Sequence, residues 1–236
     1  MTQFQRLTIA LDQIEADQIA LTADQQHYLQ RVLRLQTGDR FIAIDGQGHW
    51  WLSAIAPDRT AQILESIEVQ TELPIGLTLL MAMPKNGMDD IVRQATELGV
   101  SAIAPILSER TLLQPSSQKL DRWRRIAQEA AEQSERQIIP QIFEPIAFRD
   151  ALPQFNSGQR FIGVTRSNAS HLQRCLTAPL DDSIVMAIGP EGGWSEAEVA
   201  MAIAAGFQPV SLGKRILRAV TAAIAALTMI VSVCEA

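Results

Sequence analysis

The chain has 236 residues, 47% of them hydrophobic and 19% charged, and a formal net charge of −6. That is the make-up of a soluble globular protein, long enough for one large or two modest domains that each bury a core. The acidic balance argues against an RNA partner for the chain as a whole. The cations are nevertheless bunched, as Arg31, Arg34 and Arg40, as Arg122, Arg124 and Arg125, and as Lys214, Arg215 and Arg218, a patchy field compatible with a small RNA target.

The first ~70 residues read as β structure. Short apolar, β-branched segments at 5–11, 40–44, 50–56 and 61–69 are separated by the turn signals Gly38-Asp39 and Asp45-Gly46-Gln47-Gly48, the second a hairpin candidate. One helix intervenes, from Thr22 or Ala23 to about Leu35, with Tyr28, Leu29, Val32 and Leu33 on its apolar side. A small barrel carrying one helix fits this order. Arg31 and Arg34 lie one turn apart and, with Arg40, either track a phosphate backbone or form a plain solvated face. His27 reads as an ordinary packed or exposed histidine. Trp50 and Trp51 must face opposite sides of their strand, so one belongs to the core and the other is a candidate for base stacking.

Thr71-Glu72-Leu73-Pro74 reads as a linker, which divides the chain into 1–72 and 73–236. Strands and helices then alternate, the signature of a parallel sheet with crossovers. Strands are expected at 77–83, at 100–107 (broken by Pro105), at 160–164 and at 184–188. Helices are expected at 88–98, stopped by Gly99, at 117–137 and at 171–176. Ser195 and Glu198 form a capping-box pattern that starts a helix at Glu196 and runs it to Gly206. A short apolar run at 208–212 meets Gly213, and an Ala-rich helix completes the chain. On the 117–137 helix, Glu129, Gln133 and Arg136 share one face that points at a cleft or a partner subunit.

Two loops stand out. Gly189-Pro190-Glu191-Gly192-Gly193 has three glycines in five residues, and Gly213-Lys214-Arg215-Ile216-Leu217-Arg218 follows the next strand. Glycines there let a ligand approach the main chain closely. The pattern predicts two strands ending side by side at the carboxyl edge, where open α/β sheets bind ligands. The apolar run 219–233 is shorter than the ~20 residues of a membrane span and is better read as a buried helix. The first residues carry none of the features of a secretory leader. Cys175 and Cys234 have no ligand-like spacing to each other or to His27, His49 or His171, which predicts reduced thiols, no metal site and a cytoplasmic protein.

With Ile188 through Ser195, Ser211-Leu212-Gly213 and Ile216-Leu217-Arg218-Ala219 in view, the chain resembles the RsmE family of the SPOUT class of RNA methyltransferases. Three further blocks match: Thr96-Glu97-Leu98-Gly99-Val100, Ser108-Glu109-Arg110, and Glu129-Ala130-Ala131-Glu132-Gln133-Ser134 with Arg136. In the first domain, His27-Tyr28-Leu29, Val32-Leu33-Arg34 and Gly38-Asp39 resemble the family's PUA-like domain. The chain departs from the family at Arg6-Leu7-Thr8, where Arg-Phe-Phe is usual, and at Val220, where a glutamate is usual.

The resemblance implies an α/β SPOUT domain over 73–236, a parallel sheet with a deep trefoil knot, preceded by a PUA-like β-barrel RNA-binding domain over 1–72. It implies methylation of N3 of a uridine in 16S ribosomal RNA, with S-adenosyl-L-methionine as cofactor, the rRNA or the small ribosomal subunit as partner, and a homodimer. The cofactor-binding candidates are Thr165, Gly189, Pro190, Glu191, Gly192, Gly193, Leu212, Gly213, Ile216 and Leu217. The RNA-binding candidates are Arg6, Arg31, Arg34, Arg110 and Arg136. Arg218 is the catalytic candidate for electrostatic help at the base or phosphate, and Glu191 either acts as a base or orders its own glycine loop. A competing reading is a non-catalytic RNA-binding assembly factor, favoured only by Val220. A 2′-O-ribose methyltransferase would share the loops but not the N-terminal barrel.

Overall fold

The structure is a computed structural model that describes residues 4–111, 115–176 and 180–236; the first three residues of the leader reading lie outside them. The chain forms two compact units, one of Met1–Glu72 with Ala131–Ile139, the other of Leu73–Ala130 with Pro140–Ala236.

The first unit is a six-stranded sheet in the order β1-β4-β5-β6-β3-β2. Its strands are β1 (Arg6–Thr8), β2 (Ile14–Glu15), β3 (Gln18–Ala20), β4 (Arg40–Ile44), β5 (Trp50–Ile55) and β6 (Thr60–Ile67). Leu7, Ile19, Leu29, Phe41 and Ala61 fill one core cluster, and Ile42, Ile44 and Trp50 a second. Trp50 is therefore the core tryptophan, while Trp51 is half-buried and stacks on His49 with ring centroids 5.8 Å apart. The β2–β3 hairpin escapes sequence reading because strands of two and three residues hold no full period of alternation.

Thr22 caps helix α1 (Ala23–His27), and its hydroxyl accepts the Gln25 N–H. A wider π-type turn at Tyr28–Val32 follows, and the Leu33 N–H donates to the Tyr28 carbonyl at 2.9 Å. The helix thus ends three residues short of Leu35, and Arg34 turns the chain out with φ 58°. Residues 131–139 pair closely with this unit. The Thr8 N–H donates to Glu132 at 2.9 Å, Arg6 meets Glu135 at 2.7 Å, and the Glu72 carboxylate accepts from Arg136 and from the Gln137 and Ile138 N–H groups.

The second unit is an all-parallel sheet in the order β10-β8-β7-β12-β11-β13, with β9 also paired to β8. Its elements in chain order are β7 (Gly76–Ala82), α2 (Met88–Glu97), β8 (Ala102–Leu107), α3 (Ser117–Gln133), β9 (Gln141–Ile142) and β10 (Ile146–Ala147). There follow α4 (Phe148–Gln154), β11 (Gln159–Gly163), α5 (Leu172–Cys175), β12 (Ser183–Ile188), α6 (Glu196–Ala204), β13 (Gln208–Val210) and α7 (Ala219–Cys234). Leu80, Ala104, Ile106, Ile162, Val185 and Ala187 form the sheet's share of a core completed by Phe148, Trp194 and Phe207.

Pro105 does not break its strand. β9 pairs Ala102 and Ile103, and β10 pairs Ile106 and Leu107, so Pro105 falls in the gap and its missing N–H costs no ladder bond on that side. The second correction matters more. The strands that lead into the two glycine loops, β12 and β13, are not neighbours, because β11 lies between them. All three are parallel and so end at one edge. From the edge strand β13 the chain returns as α7 to pack on α2, β12 and α5. Among the described residues, no helix is long and apolar enough to cross a membrane.

Candidate cofactor cleft

Three loops leave the carboxyl edge of the sheet, and each is shaped by its own residues. After β12, the Gly193 N–H donates to the Pro190 carbonyl at 2.8 Å, a tight turn that puts Gly193 at φ 70°. Gly189 lies against the Trp194 indole, where a Cβ would come within 3.2 Å of the ring, and Trp194 is itself stacked on Phe148 at 4.3 Å. After β13, Ser211 Oγ accepts the Gly213 N–H at 3.2 Å, and Gly213 takes φ 125°, a conformation closed to other residues without strain. After β11, the Val164 N–H donates to the Val210 carbonyl at 2.9 Å, and the chain turns through Thr165 and Arg166.

These loops enclose a cleft of about 850 Å³. Of the ten residues expected around the cofactor, nine line it: Thr165, Gly189, Pro190, Gly192, Gly193, Leu212, Gly213, Ile216 and Leu217. Val164, Ile188, Val199 and Ala222 give apolar walls, and Ile216, 61% exposed, stands at the mouth without a packing partner to bury it. Five cations line the cleft (Arg110, Arg166, Arg174, Lys214, Arg215) against one carboxylate, Glu196, a local excess of four positive charges in a chain of net charge −6. Ala219 and Ala222 in the first turn of α7 also line it, so the positive end of a 16-residue helix, with no side-chain cap on its first N–H groups, faces the space.

Glu191 is absent from the lining. It is exposed, and its carboxylate accepts the Lys85 N–H at 2.9 Å, tying this loop to the one after β7. Arg218 is the exposed N-cap of α7; its neighbours Leu217 and Ala219 line the cleft and it stands beside them. Val220 packs on the β7–α2 loop, its Cγ2 2.6 Å from where a Gly87 Cβ would sit, so the small apolar side chain suits its surroundings.

The arginines expected on RNA separate into three kinds. Arg31 and Arg34 are exposed on and after the widened turn. Arg110 belongs to the cleft, where its Nη1 donates to the Gly192 carbonyl at 2.6 Å. Arg136 is 3% exposed and held by Glu72, so the RNA reading is withdrawn for it. Arg6 is mostly covered, paired with Glu135 and 5.4 Å from the Trp50 ring centroid. Of the predicted face of Glu129, Gln133 and Arg136, the first two are exposed on α3, which ends at Gln133, and the chain then turns Arg136 inward. Sequence reading missed Arg166, His171 and Arg174 in the cleft wall. The end of the β11 strand pattern was the one signal that pointed to that loop. Among the described residues, no group of three His, Cys, Asp or Glu is placed to hold a metal ion.

Two protein families match this chain: the RNA methyltransferase domain over residues 71–231 and the RNA methyltransferase PUA domain over residues 21–64. The ribosomal RNA small subunit methyltransferase E of Synechocystis sp. is 49% identical over 236 residues, covering 98% of this chain and 78% of that protein. The chain belongs to the ribosomal RNA small subunit methyltransferase E family. The Bacillus subtilis member is 28% identical over 92% of this chain and 90% of its own length. The crystal structure of the Neisseria gonorrhoeae member, bound to S-adenosyl methionine, superposes with a TM-score of 0.85 at 31% identity over 96% of both chains. A Legionella pneumophila methyltransferase in complex with its cofactor SAM gives 0.86 at 25% identity over 97% of both. Family membership thus agrees with the PUA-like first unit and the SPOUT-type parallel sheet of the second.

Proposed function

We propose that this protein transfers a methyl group from S-adenosyl-L-methionine to N3 of a uridine in 16S ribosomal RNA. The observation that carries the reading is the convergence of three loops, two of them shaped by glycine, on one cleft in a chain of this family. The cleft fits the cofactor. Its volume lies in the ~300–1,000 Å³ range of small-molecule sites. The apolar walls and Ile216, Leu212 and Leu217 suit the adenine ring, and the close-approaching backbone at Gly189 and Gly192 suits its hydrogen-bonding edge. The cationic rim and the α7 N-terminus suit its carboxylate.

When bound, S-adenosylmethionine supplies an electrophilic methyl on a sulfonium. The protein's own work is on the uridine. N3–H is weakly acidic, and losing its proton leaves charge on O2 and O4. Arg218, beside the cleft mouth on the N-cap of α7, is the group we assign to stabilise that anion, helped by the positive helix end. Glu191 we assign to loop order rather than proton transfer, because its carboxylate accepts a backbone N–H outside the cleft wall. RNA docking is assigned to Arg31 and Arg34 of a PUA-like domain over 1–72, with the methyltransferase domain over 73–236. A homodimer is supported by the half-buried apolar side chains Met229 and Val233, four positions apart on α7. The free thiols Cys175 and Cys234 fit the cytoplasm.

Incubation with S-adenosylmethionine and either 16S rRNA or small subunits, followed by nucleoside mass spectrometry, tests the reading. 3-Methyluridine is the expected product. A folded protein that binds RNA but yields no methylated nucleoside on either substrate would leave the assembly-factor reading in its place.

A further inference from the structure

Two of the loops around the cleft are joined by a side chain that does not line it. Glu198 is 1% exposed in the first turn of α6. One carboxylate oxygen accepts the Ser195 N–H at 2.8 Å, the ordinary capping-box bond. The other reaches across to the strand β8 side and accepts the Glu109 N–H at 2.9 Å. The turn that holds Glu109 is closed on itself by Ser108 and Thr111, whose hydroxyls lie 2.9 Å apart. The next residue, Arg110, donates from Nη1 to the Gly192 carbonyl at 2.6 Å, and its Cδ lies 3.2 Å from where a Gly192 Cβ would be. The Ser108–Thr111 turn is therefore pinned to the glycine loop at two points, by its own arginine and by Glu198.

We infer that Glu198 is a positioning residue that holds Arg110 over Gly192, so that the arginine shapes the cofactor loop from the side. The inference rests on the cofactor reading of the cleft. Chemistry explains why a carboxylate is used. Both of its oxygens face backbone N–H donors, so a glutamine can satisfy Ser195 or Glu109 but presents an NH₂ group to the other. A buried N–H left without an acceptor is costly, so the Glu109 turn should shift and take Arg110 with it. Helix capping alone asks only for an acceptor toward Ser195, which glutamine supplies.

Four variants separate positioning from capping: Glu198→Gln, Arg110→Ala, the two combined, and Ser195→Ala, which removes the hydroxyl cap on Glu198 N–H without touching Glu109. Calorimetric titration with S-adenosylmethionine is expected to show about a tenfold rise in Kd for Glu198→Gln, the size of one well-placed hydrogen bond, and for Arg110→Ala. In the Arg110→Ala background the further effect of Glu198→Gln should shrink below about twofold, because both act through one contact. Ser195→Ala should lower Tm by about 3 °C and leave Kd unchanged. Full additivity of the two substitutions, or a Kd for Ser195→Ala as weak as that for Glu198→Gln, would overturn the inference. If the wild type binds no cofactor, the cleft reading fails and the joint is read by amide hydrogen exchange. Glu109 should exchange slowly in wild type and fast in Glu198→Gln, and equal rates in both would sink the joint as well.

Discussion

The two units place their function in different kinds of matter. In the parallel α/β unit the site is mostly main chain: Gly189, Gly192, Gly193 and Gly213 bring backbone to the edge of a cleft, and neighbouring loops fix its shape through Glu191, Arg110 and Glu198. In the first unit the surface we propose for RNA rests on two exposed side chains, Arg31 and Arg34, at the end of a short helix. A backbone site is all-or-none: an added Cβ crowds Trp194 at Gly189 and Arg110 at Gly192, and strains the positive φ of Gly193 and Gly213. A side-chain surface is graded, since each cation adds its own increment to a screened attraction. The first kind should break under one substitution and the second should erode.

The largest expected effect follows from that contrast. Gly192→Trp puts a bulky ring where even a Cβ already meets Arg110 at 3.2 Å, and calorimetry should detect no S-adenosylmethionine binding by a variant that keeps its circular dichroism and Tm. Retained binding would show that the glycine loop is not a cradle. Next comes Arg218→Ala, which removes a charge beside the cleft but none of its wall; kcat should fall about 10²–10³-fold, the usual loss for one anion-stabilising donor, while the cofactor Kd changes little. A matched loss in Kd would move Arg218 from the reaction to cofactor binding.

In the first unit, Arg31→Ala with Arg34→Ala should leave cofactor binding intact, weaken RNA binding, and reduce the salt dependence of the RNA affinity by about one unit of slope per arginine. An unchanged slope would mean that the RNA path lies elsewhere. The smallest effect concerns stability. Burial opposes ionisation of Asp45, but the His49 side chain and the His49 and Gln47 N–H groups hydrogen-bond its carboxylate and hold its pKa below the ordinary value. The stabilisation is therefore complete above the unfolded carboxyl pKa of about 4 and is lost as pH falls through the lower folded value. Asp45→Asn should cost about 1–2 kcal/mol at pH 7 and flatten the acid limb of a denaturation profile. A parallel limb in the variant would assign the acid sensitivity to other groups.

Several of these features were legible in the chain. Ser195 with Glu198 announced the start of α6, Thr71 to Pro74 announced a change of rhythm, and the glycine spacing of 189–193 announced a loop that admits a ligand. The short elements were not legible. β9 and β10 have two residues each and carry no period, and α4 holds Pro153 within it. The widened turn at Tyr28–Val32 leaves no mark in an otherwise helical pattern. Arg110 reads as a loop cation and Arg136 as a cation on a helix face, yet one clasps the cleft and the other is buried on Glu72, 64 positions away.

Local chemistry, then, was set by the sequence by itself: which segments turn, which are capped, and which loops carry glycine. Those properties depend on residues within a few positions of each other. Strand order, and with it the meeting of Thr165, Gly192 and Leu217 around one cleft, was decided only in the tertiary structure. So was the fate of each arginine, because the partner that neutralises or orients a charge comes from a distant segment. Placing β11 between β12 and β13 depends on which faces bury together when the whole sheet packs, and no short window of sequence contains that balance.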